Sequence, residues 1–294
     1  MIKKILKWFG LTLLVIVVGA GSFAAHEWYA DKPFMFRAYM DRALVKIAFR
    51  NPETLTSLGF LESMGIKGHN AKLDDESLAA GDRFMAQMKE AHDVLLSYED
   101  EDLSEADLMS KRIAATMLGA VVEGEKFRFH TFPVNQLFGV QSGFPSFMES
   151  THQVHSVDDA ENYVARLNAV GVKFDQVLEG LRRRDELGIH PPQFVVTKVL
   201  EEMRNFIATP PEEGILMEAL LDKMDQAGLA ENDQERLAQA ARVAIEETVY
   251  PAYQRLIDHF VALDAKVEGN YGAWSLPEGE AYYRLALRLM TTTD

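Results

Sequence analysis

The sequence predicts an all-α protein: a multi-helix array behind one N-terminal transmembrane or signal helix, with an irregular or hairpin segment near residues 127–148. Three observations carry this. Apolar residues recur at three- and four-residue spacings over most of the chain, as one face of a helix requires. Helix-starting residues, Ser104, Ser156 and Asn232, precede several of these stretches with an acid three residues on. No segment alternates convincingly between apolar and polar residues as a half-buried strand would, and no repeat of solenoid length stands out.

The first element decides the compartment. Lys3, Lys4 and Lys7 precede Trp8, and Phe9 to Ala25 is an uncharged run of seventeen residues. Ser22-Phe23-Ala24 passes as a small-x-small cleavage site, so a removable signal is one reading. A retained anchor is the other, since the run reaches the lower limit for a bilayer span and Trp8, Trp28 and Tyr29 flank it like interfacial aromatics. Either way the Lys-rich end stays in the cytoplasm. The expected division is a membrane or signal segment over 1–30 and a helical domain over 31–294, with the body outside the cytoplasm, either tethered to the membrane or free after cleavage.

Beyond it, Pro33 to Phe49 has a helical apolar face, Asn51-Pro52 ends or restarts it, and Gly59 and Gly65 read as turns. Helices are expected over about 76–97 and from Ser104 towards Gly124. Ser156 with Asp158 and Asp159 opens a helix whose stripe, Tyr163, Leu167, Val170, Phe174, Val177, Leu178 and Leu181, runs towards a stop at Gly188. Arg182, Arg183 and Arg184 read as a solvated last turn. Helices follow from Pro192 and near Leu216 to Ala227. Another runs from Asn232 to about Leu263, kinked near Thr248 by Pro251, and the last covers Glu278 to Met290.

The stretch Phe129 to Met148, FHTFPVNQLFGVQSGFPSFM, lacks Lys, Arg, Asp and Glu. At average composition about five charges would fall in such a window. Its absence of charge implies burial, while Pro133, Gly139, Gly143 and Pro145 argue against a continuous helix. Asn135, Gln136, Gln141 and Ser142 either pair the backbone of a buried irregular segment or line a substrate groove; both readings are open.

Composition excludes several functions. A net charge of -15, from 30 Lys and Arg against 45 Asp and Glu, argues against nucleic acid, whose phosphates need clustered cations. With no cysteine there are no disulfides, thiolate metal sites or thiol nucleophiles. A helical zinc peptidase needs two His four apart with an adjacent Glu. Here the single His-Glu pair, His26-Glu27, lacks the second His. His152 and His155 precede the Ser156 cap without a third ligand, Ser142-Gly143 lacks the glycine spacing of a nucleophile elbow, and Glu278 and Glu280 suit a helix first turn. No catalytic and no metal-binding residue is identified.

Six blocks in order, Asn51 to Gly59 (NPETLTSLG), Phe132 to Met148, Asp158 to Leu167 (DDAENYVARL), Gly188 to Val196 (GIHPPQFVV), Val249 to Leu256 (VYPAYQRL) and Leu276 to Asp294, resemble the bacterial "domain of unknown function 885" family. The resemblance implies zinc-dependent peptidases of the helical gluzincin type as full-length members, with zinc as cofactor and a zinc motif downstream of the block ending at Asp294. This chain would then match the N-terminal half, inactive alone and holding no cofactor of its own. Its partners would be a missing or separate C-terminal catalytic lobe, the inner membrane through residues 9–25 and a peptide substrate. By analogy, Asn135, Gln136, Gln141, Ser142, Tyr282 and Tyr283 become candidate walls of a substrate channel. The terminal Thr291, Thr292, Thr293 and Asp294, helix-cap residues with no helix after them, read as the threshold of a further element. The alternative is a self-sufficient, membrane-anchored helical module that binds a peptide or lipid.

Overall fold

The computed structural model describes residues 2–267, 269 and 272–291, and of residues 2–6 the backbone alone; Thr292, Thr293 and Asp294 lie outside the described residues, as do the side chains of Lys3 and Lys4. Its helices are α1 (Ile2–Tyr29), α2 (Phe36–Ala48), α3 (Pro52–Leu58), α4 (Leu78–Leu96), α5 (Glu105–Glu123), α6 (Val140–Ser150), α7 (Val157–Glu186), α8 (Gln193–Ala208), α9 (Ile215–Gln226), α10 (Glu231–Ala244), α11 (Tyr250–Asp264) and α12 (Gly279–Thr291). The all-α class holds, with no strand among the described residues. The chain divides into two compact units, Met1–Phe49 with Met85–Glu123, and Arg50–Phe84 with Gly124–Asp294.

The first unit carries α1, whose segment Lys7–Tyr29 is long and apolar enough to cross a membrane. Its small core gathers Phe36, Tyr39, Leu95 and Tyr98 from α2 and the end of α4. The two tyrosine hydroxyls are not left bare in it: Tyr39 donates to the Ala91 carbonyl at 2.9 Å and Tyr98 to the Pro33 carbonyl at 2.8 Å.

The second unit is built on α7, which buries Tyr163, Leu167, Val170, Phe174, Val177 and Leu178 against α9, α10 and α11. Helices α8 and α11 pack on each other beside it. The start of α7 is as expected, with Ser156 Oγ accepting from the Asp159 amide at 3.3 Å, and Gly188 ends it at φ 69°, a left-handed conformation that costs glycine little. Pro251 acts through the backbone just before it: Ile245–Val249 widens into a π-helical turn between α10 and α11, because proline has no amide to continue the regular ladder.

Two expectations are corrected. Asn232 caps nothing, since α10 already begins at Glu231 after an uncapped Ala230. The 127–148 segment is no hairpin, and half of it is the helix α6, which runs straight through Pro145. Pro145 cannot donate to the Gln141 carbonyl one turn back. The buried Tyr253 hydroxyl of α11 donates to that carbonyl instead, at 2.5 Å, and this replaces the bond that made proline look forbidding.

Candidate functional site

All six residues singled out from the sequence lie in the second unit. Asn135 organises the turn that leads into α6: its Oδ1 accepts from the amides of Leu137 and Phe138, each at 2.9 Å, and its Nδ2 donates to the Phe132 carbonyl at 2.9 Å. Gln141 Nε2 donates to the Asn135 carbonyl at 2.7 Å and to Glu202 of α8 at 3.1 Å, and Ser142 Oγ donates to the Gly139 carbonyl at 3.1 Å. Gln136 is half-buried beside them. Asn135, Gln141 and Ser142 therefore meet as a set that satisfies backbone groups. The turn they hold lifts Leu137 and Phe138 into solvent, with Phe138 90% exposed.

Tyr282 and Tyr283, adjacent on α12, part company. The Tyr282 ring lies 4.9 Å from His130 and 5.7 Å from Phe127, and His130 Nε2 meets the Pro277 carbonyl at 2.8 Å. Tyr283 turns outward and is 55% exposed. With Leu287 and Met290, spaced four and three residues on, it forms an apolar stripe along the open side of α12, where Met290 is 87% exposed.

A shallow pocket lies between the uncharged stretch, the end of α7 and α11, lined by Phe132, Arg184, Asp185, His190, His259 and Phe260 among others. Asp185 is committed on both oxygens, to His190 Nε2 at 2.9 Å and Lys266 Nζ at 2.6 Å. Burial pushes its carboxyl pKa up, but the bonds from Lys266 and His190 outweigh this and leave it low. Burial lowers the pKa of His259, so this ring is neutral near pH 7. Of the arginine run read as a solvated helix end, Arg182 and Arg183 are exposed, but Arg184 is not. It donates to the Thr131 carbonyl at 2.8 Å and to the Gly180 carbonyl at 3.0 Å, and burial brings its guanidinium down to about 10. None of the pocket's lining residues carries a hydroxyl or thiol, so it holds a carboxylate and imidazoles without a nucleophile for them to activate.

The most elaborate polar arrangement was not anticipated. Arg166, fully buried on α7, donates to the Lys72 carbonyl at 2.9 Å, to His152 Nδ1 at 2.7 Å, to Thr56 Oγ1 at 2.6 Å and to the His69 carbonyl at 3.3 Å. His152 Nε2 meets the Asp159 carbonyl at 3.1 Å, which fixes a neutral tautomer; burial, reinforced by Arg166, lowers its pKa to about 3. The Asp159 carboxylate accepts from Lys67 at 2.7 Å and Ser156 at 2.8 Å. This network fastens the irregular segment after α3 onto α7, and every group in it is occupied with structure. The sequence held one signal: Arg166 falls inside the apolar stripe between Tyr163 and Val170, where a cation must find partners.

Zinc, implied by the family resemblance, has no fitting donor set: among the described residues no group of three His, Cys, Asp or Glu could hold a metal ion, against the three protein ligands that a catalytic zinc requires. His152 and His155 follow separate paths, the first into the Arg166 network, the second with its amide on Asp159 at 3.2 Å.

Residues 52–294 match the model of a family described as bacterial proteins of unknown function, DUF885, and the chain belongs to that family. No curated protein matches it significantly. Among solved structures, it is similar to a protein described as "the putative lipoprotein from Colwellia psychrerythraea", with a TM-score of 0.76 and 16% identity. That match covers 84% of this chain but 44% of the other, so the chain spans less than half the length of the protein it resembles; at this identity the likeness is one of fold.

Proposed function

We propose that this member of the DUF885 family is a membrane-tethered, extracytoplasmic helical lobe of a zinc-peptidase-like hydrolase, acting with a further lobe that supplies the metal centre. The observation that carries the reading is the uncovered stripe Tyr283–Leu287–Met290 on α12, apolar surface of the kind proteins hide against a partner. The exposed Leu137 and Phe138 on the turn before α6 are further uncovered apolar groups of the same unit that such a lobe or a peptide could meet. The apolar Lys7–Tyr29 helix supports the tether, and the description of the Colwellia protein as a lipoprotein agrees with an exported, membrane-associated setting. On this reading Asn135, Gln141 and Ser142 shape one wall of the channel by holding its turn, and chemistry on the substrate comes from the other lobe.

The test is binding. The portion of a longer family member lying outside the matched region is expected to associate with this chain. The variant Tyr283→Gln, Leu287→Gln, Met290→Gln is expected to lose that association while melting normally. Equal binding by the variant, or none by the parent chain, overturns the proposal.

A further inference from the structure

We infer that the corner between α1 and α2 is a rigid foot which seats Trp28, Tyr29, Phe34 and Met35 in the lipid headgroup boundary of the bilayer that α1 crosses. The inference rests on the tether reading and adds to it a lipid-contacting surface and a fixed angle of exit. Two reciprocal caps lock the corner. Arg42 of α2, buried, donates to the carbonyls of Trp28 at 2.9 Å, Ala30 at 2.5 Å and Asp31 at 3.1 Å, and more weakly to that of Glu27 at 3.4 Å, the groups a helix C-terminus leaves open. In return the buried Glu27 carboxylate of α1 accepts from the amides of Phe34 at 3.0 Å and Met35 at 3.1 Å, just ahead of α2. Such a doubly capped turn leaves α1 no freedom to swing.

The depth follows from chain length. From Phe9 to Glu27 a helix rises about 27 Å, close to the roughly 30 Å hydrocarbon core, so Glu27 comes to the outer edge of the core with Phe9 at the inner one. The residues bonded to it share that depth. Phe34 folds back alongside the span, stacked 3.9 Å from His26 and 6.2 Å from Phe23, which lies within the uncharged run. Yet Phe34 is 70% and Tyr29 81% exposed, so most of each ring's surface lacks protein cover where aromatic side chains favour the interface.

The native chain has no cysteine, so single-cysteine variants of the full chain can carry a fluorescent label in liposomes containing brominated phospholipid. A label at Val17→Cys should be quenched by bromines deep in the acyl chains, one at Met35→Cys by bromines near the headgroups, and one at Glu179→Cys by neither. A Met35 label as unquenched as that at position 179, with the position 17 label still quenched, overturns the foot and leaves the tether standing. An unquenched position 17 label removes the tether itself. Adding Arg42→Ala should broaden the depth distribution at position 35 while the second unit keeps its melting temperature; an unchanged distribution overturns the clamp.

Discussion

Helices α7 and α12 both carry apolar residues at helical spacing, yet they differ in what covers them. In α7 the stripe from Tyr163 to Leu181 is buried, covered by helices of the same unit. In α12 only Gly279 and Leu285 are buried, and Tyr283, Leu287 and Met290 stand open. Periodicity shows which face seeks cover; it says nothing of which chain provides it.

Truncation on each side separates the two helices. Phe174, buried against Phe144 and Tyr253, leaves a cavity on change to Ala, and Phe174→Ala is expected to cost about 3–5 kcal/mol in a urea melt. Arg166→Met removes one partner from His152, Thr56 and two carbonyls at once and is expected to cost about 3 kcal/mol or more. Arg166→Lys should recover little of this, because an ammonium cannot reproduce the planar fork.

The same network gives α7 a pH signature. His152 is neutral when folded, with its pKa lowered to about 3, whereas the unfolded ring takes a proton near 6.5. Between those values the unfolded state binds more protons, so stability falls as pH drops below about 6.5, by up to about 1.4 kcal/mol per pH unit. The slope should become shallower in His152→Gln, measured by denaturation between pH 7 and 5, the remainder coming from groups such as the buried His259. On α12, Met290→Gln is expected to change stability by about 0.5 kcal/mol or less in a urea melt. A large loss of stability there would mean that α12 is already covered by its own chain.

Much of the fold was legible because its signals are local. Ser156 announces α7 three residues from its partner amide, Gly188 closes it through its own φ, and Pro251 disturbs the turn directly before it. Apart from the start of α10, which lies one residue ahead of Asn232, the misreadings arise from partners distant in sequence. Helix α6 survives Pro145 because a hydroxyl 112 residues from Gln141 takes over the orphaned carbonyl. Arg184 is drawn from the solvent by the Thr131 carbonyl, and Arg166 gathers partners from residues 56, 69, 72 and 152. Of the candidate site, the uncharged stretch and the role of Asn135 and Gln141 in pairing backbone were readable, whereas the divergence of Tyr282 from Tyr283 was not, since it depends on where His130 and Pro277 lie.

The proposed dependence on a second lobe is tested most directly by peptide cleavage. The purified chain, supplied with zinc and an oligopeptide mixture and followed by mass spectrometry, is expected to leave every peptide intact, and cleavage is expected once the complementary portion of a longer family member is added. Zinc-dependent hydrolysis by this chain alone would contradict the division of labour proposed here.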